Sequence, residues 1–173
     1  MTHSCQVIVI LLKKKEEAIK MNIEIINKVA EFAIAVKYEA VDFTNMAAIM
    51  GEGYQKLMAY IAECGKEIVG CPYCEYSNGS EDYMKFDIEL GIPVSGSLPE
   101  KNEFYMSKTY EGKAITAMHK GAYKDIEKTY TPMMQYLAEN NIESTGIYYD
   151  YYVSDPANTV ESELLTKVIF PIK

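Results

Sequence analysis

The chain has 173 residues, which suffices for one sizeable domain, and its 49% apolar and 24% charged content is ordinary for a globular protein. Seventeen basic against 25 acidic residues give a net charge of −8, which disfavours direct nucleic-acid binding and favours cationic partners. The apolar run from Val7 to Leu12 is too short to span a bilayer, and lysines follow it instead of preceding it. We therefore expect neither a membrane segment nor a secretory signal.

The four cysteines, at positions 5, 64, 71 and 74, are too few and too unevenly spaced for a disulfide scaffold. We therefore expect reduced thiols and a cytoplasmic protein. Cys71-Pro72-Tyr73-Cys74 spells a redox motif, but it follows a predicted helix, whereas a redox pair works at a helix N-terminus. Redox catalysis is thus disfavoured. Because no second close pair of soft ligands exists, the sequence also predicts no metal site and no cofactor.

Residues 1–20 are predicted to form an N-terminal extension ahead of a second plausible start at Met21. A strand then runs through Phe32 to Tyr38, where apolar residues alternate. Thr44 is predicted to cap a helix in which apolar residues recur every three or four positions until Gly65 ends it. A second strand covers about residues 67–76. After a turn at residues 77–80, a half-buried antiparallel strand runs from about residue 84 to Pro93.

The second half repeats this order of elements. A strand through residues 104–108 is predicted to bend near Gly112 and to continue to Met118. A helix follows from about Tyr123 to Asn140, with Pro132 as a local irregularity. Residues 146–153 and 164–170 are predicted to be the last two strands, because aromatic and branched residues alternate in both.

Sliding the chain by 76 positions superimposes the two halves, with nine identities over the 23 positions from 54 to 76. The sequence therefore predicts an α+β fold of two duplicated strand-helix-strand-strand units, at about residues 28–96 and 103–173. We expect antiparallel sheets, two long helices and a pseudo-twofold axis. The natural ligand site in such an arrangement is the central cleft between the halves.

One acid lies within a run of four tyrosines in the strand from Gly146 to Val153. Side chains alternate across a strand, so Tyr148, Asp150 and Tyr152 share one face. A carboxylate between aromatic rings can hold a planar hydrophobic cation, because the ring faces attract positive charge and the acid neutralises it. The alternative is an exposed aspartate on a tyrosine-rich sheet.

Three motifs resemble the GyrI-like small-molecule-binding family, which also supplies the effector-binding domains of AraC-type and MerR-type multidrug regulators and has a SOUL-like duplicated fold. They are the acid-rich strand ending in Gly91-Ile92-Pro93-Val94, the turn His119-Lys120-Gly121-Ala122-Tyr123, and Tyr151-Tyr152-Val153-Ser154-Asp155-Pro156 together with the chain's Phe170-Pro171-Ile172-Lys173 end. The resemblance covers about residues 21–173.

The resemblance implies an aromatic cleft with a central acid. That acid falls at Asp150, where the family usually has glutamate, and Cys74 occupies the matching place in the first half. Glu75, on the other strand face, is a second candidate acid. The expected ligand-binding residues are Asp150, Tyr148, Tyr152, Tyr76, Glu75, Phe86 and Tyr38.

The first functional hypothesis is a stand-alone cytoplasmic protein that binds hydrophobic, cationic or aromatic small molecules, since no helix-turn-helix fits before Met21. The second, implied by the resemblance, is a hydrolase that opens electrophilic cyclopropane-type compounds with Asp150 as its catalytic residue. A third is binding to a protein partner, as in family members linked to inhibition of DNA gyrase. A direct nucleic-acid or membrane partner is not expected.

Two further features have a structural interpretation and a functional one. His119 lies in a turn before a helix, where a structural role is favoured over acid–base catalysis. Five methionines could form a flexible ligand wall, but their helical spacing favours core positions. They are Met50, Met58, Met118, Met133 and Met134.

Overall fold

The computed structural model describes residues 21–82 and 84–173, so the predicted N-terminal extension lies outside the described residues. Its helices are α1 (Met46–Glu63) and α2 (Glu127–Glu139). Its strands are β1 (Glu24–Lys28), β2 (Phe32–Asp42), β3 (Tyr73–Ser77), β4 (Lys85–Pro93), β5 (Tyr105–Lys108), β6 (Gly112–Lys120), β7 (Tyr148–Tyr152) and β8 (Leu165–Pro171). They form one antiparallel sheet in the order β1-β6-β8-β7-β3-β4-β2-β5, which confirms the α+β class. No helix within these ranges is long and apolar enough to cross a membrane.

The ends of α1 agree only in part with the predicted capping. Thr44 does not cap the helix: it lies in a short 3-10 turn, where its backbone N–H and hydroxyl both donate to Asp42. Asp42 therefore caps this 3-10 turn, because its carboxylate accepts the Thr44 N–H. The N-cap position of α1 is Asn45, whose side chain makes no capping hydrogen bond. At the other end Gly65 follows the helix with a φ of +61°, the left-handed conformation that glycine adopts without strain. The predicted stop is thus confirmed.

The prediction of one bent strand through residues 104–118 is wrong. This stretch forms two strands: β5 pairs with β2 at one edge of the sheet, and β6 pairs with β1 and β8 near the other. Gly112 begins β6 with a φ of +145°, and an added Cβ there would lie 2.6 Å from the Tyr110 hydroxyl oxygen. Both strands show the alternation that the sequence predicts, but alternation does not identify the strand with which each one pairs.

The sheet curls until its two ends meet. Residues 29–31 join β1 to β2, and residues 109–111 join β5 to β6. In both connections the two joined strands lie near opposite edges of the sheet. Strands are about 4.8 Å apart, so a flat sheet would hold these ends well over 20 Å apart. Three residues span only about 10–14 Å. The curled sheet consequently has one face that carries the helices and an inner face without them.

Three buried clusters fill this frame. Helix α1 packs on β2, β3 and β4 through residues such as Leu57 and Ile88, and α2 packs on β6 and β8 through Met133 and Phe170. The third cluster fills the inner face and joins Ala33 of β2 and Ala114 of β6 with Tyr73, Tyr149, Tyr151 and Ile169. Small alanines at both ends let the curled sheet close around the tyrosine rings.

The predicted core positions of the methionines are only partly correct. Met133 is fully buried and Met50 is packed against the first cluster. Met58, Met118 and Met134 are instead 48%, 48% and 37% exposed. Met58 and Met134 lie next to the buried stripes of their helices, and Met118 lies on the strand face opposite the helices. Apolar residues at the edge of a buried face keep much of their surface in solvent.

Candidate functional site

Asp150 lies at the centre of the sheet on the face that carries the helices. Strand β7 pairs with β3, where Asp150 is directly opposite Cys74, and only 2% of its surface is exposed. The Tyr130 hydroxyl, from α2, donates to both carboxylate oxygens at 2.7 and 2.8 Å. No lysine or histidine of the described ranges lies within ion-pair distance of this carboxylate. Asp150 is thus a buried acid without a cationic partner in that part of the chain.

Burial raises the pKa of Asp150 to about 7, because a charged carboxylate loses its hydration at this position. Hydrogen bonds from the hydroxyls of Tyr130 and Tyr76 act in the opposite direction, since they stabilise the ionised form. The carboxyl group of Asp150 therefore changes between its neutral and ionised forms near pH 7. A cation placed beside it would favour the charged form and displace the proton.

Aromatic side chains surround this carboxylate. Tyr54, from α1, donates its hydroxyl to the Tyr73 carbonyl oxygen at 2.7 Å, and its ring meets that of Tyr152 edge-on at 6.0 Å. Tyr123, before α2, contacts the same Tyr152 ring from the other side at 5.4 Å. Tyr148 meets the ring of Phe170 at 4.6 Å. These rings occupy the space between the two helices above β3 and β7.

Four of these tyrosines are partly buried rather than sealed in the core, namely Tyr54, Tyr76, Tyr130 and Tyr152. Burial nevertheless raises the pKa of each well above its ordinary value. Their phenols therefore stay protonated and can donate hydrogen bonds. These four rings thus keep some contact with solvent, although the carboxylate that they surround is buried. We call this space the helix-side cleft, with Asp150 at its floor.

The structure brings together four of the predicted site residues, Asp150, Tyr148, Tyr152 and Tyr76, on one face of β3 and β7. Phe86 joins them through an edge contact with Tyr76 at 6.1 Å between ring centroids.

Of the other two predicted residues, Tyr38 is on the same sheet face two strands away from Tyr76 and packs against the same cluster, whereas Glu75 is on the opposite face. Tyr38 lies under α1, where its hydroxyl approaches Gly53, and it lines a shallow outer depression of about 630 Å³ with Asp42 and Ile49. Glu75 lies on the inner face, where it accepts a 2.6 Å hydrogen bond from the Tyr149 hydroxyl. The cleft and Glu75 are thus on opposite sides of the sheet.

Sequence reasoning missed the residues that the helices contribute, namely Tyr54, Tyr123 and Tyr130. A signal existed for two of them, because Tyr54 and Tyr130 are identical at the 76-residue offset. Their helical positions gave no indication of the strand that each would reach, since that depends on where the helix packs on the sheet. The hydrogen bond from Tyr130 to Asp150 was therefore not predictable from spacing alone.

The other titratable groups fit structural roles. His119 is buried, with Nδ1 2.9 Å from the Thr129 hydroxyl and Nε2 3.1 Å from the Ala122 carbonyl oxygen, to which Nε2 donates. Cys64, Cys71 and Cys74 are free thiols, and burial raises the pKa of Cys74 well above its ordinary value. A thiol in that state is unreactive. Among the described residues, no group of three or more potential ligands could hold a metal ion.

The inner face holds a second cluster of acids and tyrosines. Glu89 lies opposite Glu75 and accepts hydrogen bonds from the hydroxyls of Tyr73 (2.8 Å), Tyr105 (2.7 Å) and Ser107 (2.7 Å). Lys28 of β1 stands over the rings of Tyr149 and Tyr151, at 5.5 and 5.4 Å from their centroids, and donates to the Thr109 hydroxyl at 2.7 Å. We call these residues the inner-face cluster.

Two helices on one face of a curled antiparallel sheet, with an aromatic cleft above a buried acid, define the class of small-molecule-binding domains. The model of the GyrI-like small molecule binding domain matches residues 21–173. The chain therefore belongs to the GyrI-like family, which confirms the resemblance of its motifs. A search of curated protein sequences found no significant match.

Solved structures support the fold. A cryo-EM structure of EcmrR in a DNA complex matches 97% of this chain with a TM-score of 0.80 at 18% identity, and the chain spans 63% of that protein's length. The EcmrR C-terminal domain matches 89% of this chain and 98% of its own, with a TM-score of 0.73 at 17% identity.

Two further structures show the same fold. SAV2435 bound to tetraphenylphosphonium matches 88% of this chain and 94% of its own, with a TM-score of 0.62 at 10% identity. A hydrolase encoded by lin2189 from Listeria innocua matches 94% of this chain and 98% of its own, with a TM-score of 0.64 at 14% identity. At these identities the likeness establishes the fold alone.

Proposed function

We propose that the protein binds hydrophobic small molecules that carry a positive charge, and that they occupy the helix-side cleft with their charge near Asp150. One observation supports this above all. Asp150 is 2% exposed and has a tyrosine hydroxyl, but no cationic side chain of the described ranges, as its partner. A buried carboxylate without a counter-ion is unfavourable, and a bound cation would relieve that cost.

The walls of the cleft suit the same class of ligand. Tyrosine rings bury the hydrocarbon of a ligand, and their electron-rich faces attract positive charge. The net charge of −8 also favours the approach of cations. The relative SAV2435 has been solved with tetraphenylphosphonium, a bulky lipophilic cation, and we take this compound as the first probe.

We further propose that the two halves, residues 28–96 and 103–173, are duplicated units related by a pseudo-twofold axis through the cleft. The register of β3 and β7 supports this proposal. The axis would pass between the paired Cys74 and Asp150, and the flanking pairs Tyr73–Tyr151 and Glu75–Tyr149 are exchanged by the 76-residue offset. Free cysteines support a reducing compartment such as the cytoplasm.

The test is a thermal-shift titration with tetraphenylphosphonium at pH 8. A ligand that binds only the native state at 100 times its Kd stabilises that state by about 2.7 kcal/mol. We expect Asp150→Asn to weaken binding at least about tenfold, because it removes the negative charge and keeps the shape. Glu75→Gln is the matched control on the inner face and should bind as the wild type does.

Three outcomes would contradict this proposal in different ways. Equal binding by wild type and Asp150→Asn would show that Asp150 is not the charge of the site. Loss of binding in Glu75→Gln alone would place the ligand on the inner face. No stabilisation of the wild type by tetraphenylphosphonium would overturn cation binding and favour a protein partner instead.

The pH dependence of binding gives an independent measurement. Because the pKa of Asp150 is about 7, the carboxylate is mostly neutral at pH 6 and mostly ionised at pH 8. We expect the affinity for a cation of fixed charge to rise roughly tenfold between these values, since binding requires the ionised form. Isothermal titration calorimetry in buffers of different ionisation enthalpy would detect the released proton. A flat profile in the wild type would exclude Asp150 as the counter-ion.

A second candidate function is hydrolysis of an electrophilic, cyclopropane-type small molecule in the same cleft. The pKa of Asp150 supports it, because a general base works best when its pKa is near the working pH. The Tyr130 hydroxyl could hydrogen-bond the departing group. Mass spectrometry should then detect a product heavier by one water, and Asp150→Asn should abolish it while the compound still binds. Product formation by that variant would exclude this mechanism.

A further inference from the structure

Two methionines follow the cleft tyrosines at the same helical spacing. Met58 lies four residues after Tyr54 on α1, and Met134 lies four residues after Tyr130 on α2. Side chains four residues apart lie on the same face of a helix, one above the other. Tyr54 and Tyr130 both point toward β3 and β7, through their bonds to the Tyr73 carbonyl oxygen and to Asp150. Met58 and Met134 therefore border the cleft from opposite sides.

Both methionines are exposed, unlike the residue that precedes each of them. Met58 is 48% exposed and Met134 is 37% exposed, whereas their neighbours Leu57 and Met133 are fully buried. Each methionine thus lies beside the buried stripe of its helix, which continues with Ile61 in α1 and Leu137 in α2, and occupies the rim. Tyr123, also 37% exposed, adds an aromatic ring to this rim through its contact with Tyr152. These exposed side chains are apolar in a protein with a net charge of −8.

Methionine suits the rim of a site that accepts ligands of varied shape. Its unbranched side chain has three rotatable bonds, and its polarisable sulfur makes favourable contacts with aromatic rings. Large exposed apolar side chains around a cleft lower the solubility of a protein unless a ligand covers them. The buried charge of Asp150 and the apolar rim together match a ligand with a cationic centre and aromatic substituents.

We propose that Met58 and Met134 are ligand-contacting residues that close over an aromatic lipophilic cation and set the range of sizes that the cleft accepts. This inference rests on the proposed function, since it concerns the same ligand. It assigns to the two helices a role beyond packing. The rim adapts to the bulk of the ligand, while Asp150 at the floor selects its charge.

Oxidation of methionine provides a test without any mutation. Dilute hydrogen peroxide converts exposed methionine to the sulfoxide and is itself reduced to water, and peptide mass spectrometry measures the rate at each position. We expect saturating tetraphenylphosphonium to slow oxidation of Met58 and Met134 at least about threefold, because the bound ligand removes their sulfur atoms from solvent. Met118 is the internal control. It is also 48% exposed, but it neighbours His119 on β6 and therefore points to the face without helices.

Variants give the second measurement. Met58→Ala and Met134→Ala should each weaken tetraphenylphosphonium binding about two- to tenfold, the range expected when a contact between sulfur and a ring is lost. Met58→Leu and Met134→Leu, which keep the apolar bulk, should lose less. Met118→Ala should bind as the wild type does. Because all three positions are exposed, we expect every variant to fold.

The outcomes separate this inference from the proposed function. If tetraphenylphosphonium stabilises the wild type but Met58, Met134 and Met118 oxidise at unchanged relative rates, the rim does not contact the ligand and only the inference is overturned. If the ligand does not stabilise the wild type at all, both the proposed cation binding and this inference are overturned. Protection that is equal at Met118 would indicate a general effect on peroxide and would also overturn the inference.

Discussion

The central strands β3 and β7 carry acids and tyrosines on both faces, but the two faces differ in how the acids are compensated. On the helix side Asp150 is buried beneath partly exposed rings and receives the hydroxyl of Tyr130. On the inner face Glu89 receives three hydroxyls and Glu75 receives one. Lys28 is packed over the rings of the same face.

Under the proposed function, this difference separates the proposed binding site from a structural cluster made of the same residue types. Two of the inner-face donors, Tyr73 and Tyr149, are fully buried, and the acids there already have hydroxyl partners. The carboxylate of Asp150 accepts hydrogen bonds from Tyr130 of α2 and from Tyr76 of β3, and both donors are themselves partly exposed. Composition alone therefore does not distinguish the two faces, whereas burial and hydrogen bonding do.

The largest effect that we expect concerns packing on the inner face. Tyr73 is fully buried and packs against Gly91. A Cβ atom added at Gly91 would lie 2.2 Å from the Tyr73 ring. We expect Tyr73→Ala to lower the free energy of unfolding by about 3–5 kcal/mol, as for other large aromatic truncations. Tyr152→Ala, in the partly exposed cleft, should cost only about 1–2 kcal/mol. Urea denaturation measures both, and equal losses would show that the cleft is as tightly packed as the inner face.

The second effect concerns pH. The pKa of Asp150, about 7, exceeds its ordinary value of about 3.9, so its contribution to stability is full below about pH 4 and is lost as pH rises through 7. The asparagine in Asp150→Asn cannot ionise, so this variant does not lose stability in this way. We expect its free energy of unfolding to rise by about 2 kcal/mol relative to that of the wild type between pH 5 and pH 8.

Glu75→Gln sharpens this second prediction. Burial also raises the pKa of Glu75, but the Tyr149 hydroxyl opposes the shift and the side chain is only partly buried. We therefore expect a smaller change with pH in this variant. Denaturation curves at several pH values provide the measurement. A larger change in Glu75→Gln than in Asp150→Asn would reverse our assignment of the less compensated acid.

The smallest effect concerns Lys28. We expect Lys28→Met to lower stability by about 1 kcal/mol, because it removes the hydrogen bond to Thr109 and the 3.7 Å ion pair with Glu31 but keeps the packing over the tyrosine rings. Lys108→Met, which breaks an exposed pair with Glu111, should cost less than about 0.5 kcal/mol. Binding of tetraphenylphosphonium should not change in either variant. Weaker binding in Lys28→Met would show that the inner-face cluster takes part in ligand binding.

Local patterns predicted much of this molecule. Alternation correctly placed Tyr148, Asp150 and Tyr152 on one strand face, and the 76-residue offset matched Cys74 with Asp150, which the structure pairs across β3 and β7. The class of fold and the order of the two helices with strands β2, β3, β4, β7 and β8 also followed from periodicity, whereas strand β1 was not predicted. These features depend on residues close in sequence or on an internal comparison, which a single sequence contains.

Features that depend on distant packing were not predictable. Nothing in the alternation of residues 104–118 indicates that β5 and β6 join different edges of the sheet. The placement of Tyr38 away from Asp150, and of Tyr130 against it, depends on how each helix lies on the sheet. Glu75 and Asp150 were both candidates because the strand pattern does not tell which face the helices cover.

The pairing of β1 with β6 has a consequence for how the protein folds. Glu24 pairs with Thr116, about ninety residues later in the chain, and β7 completes the floor of the cleft only by pairing with β3 of the first half. Pairings this distant are slow to form, because the intervening chain must lose its freedom before the contacts can stabilise it. During synthesis β1 therefore remains without its partner until residues 112–120 have left the ribosome. A ligand of the cleft can engage only the fully assembled chain, so it would act as a stabiliser of newly made protein.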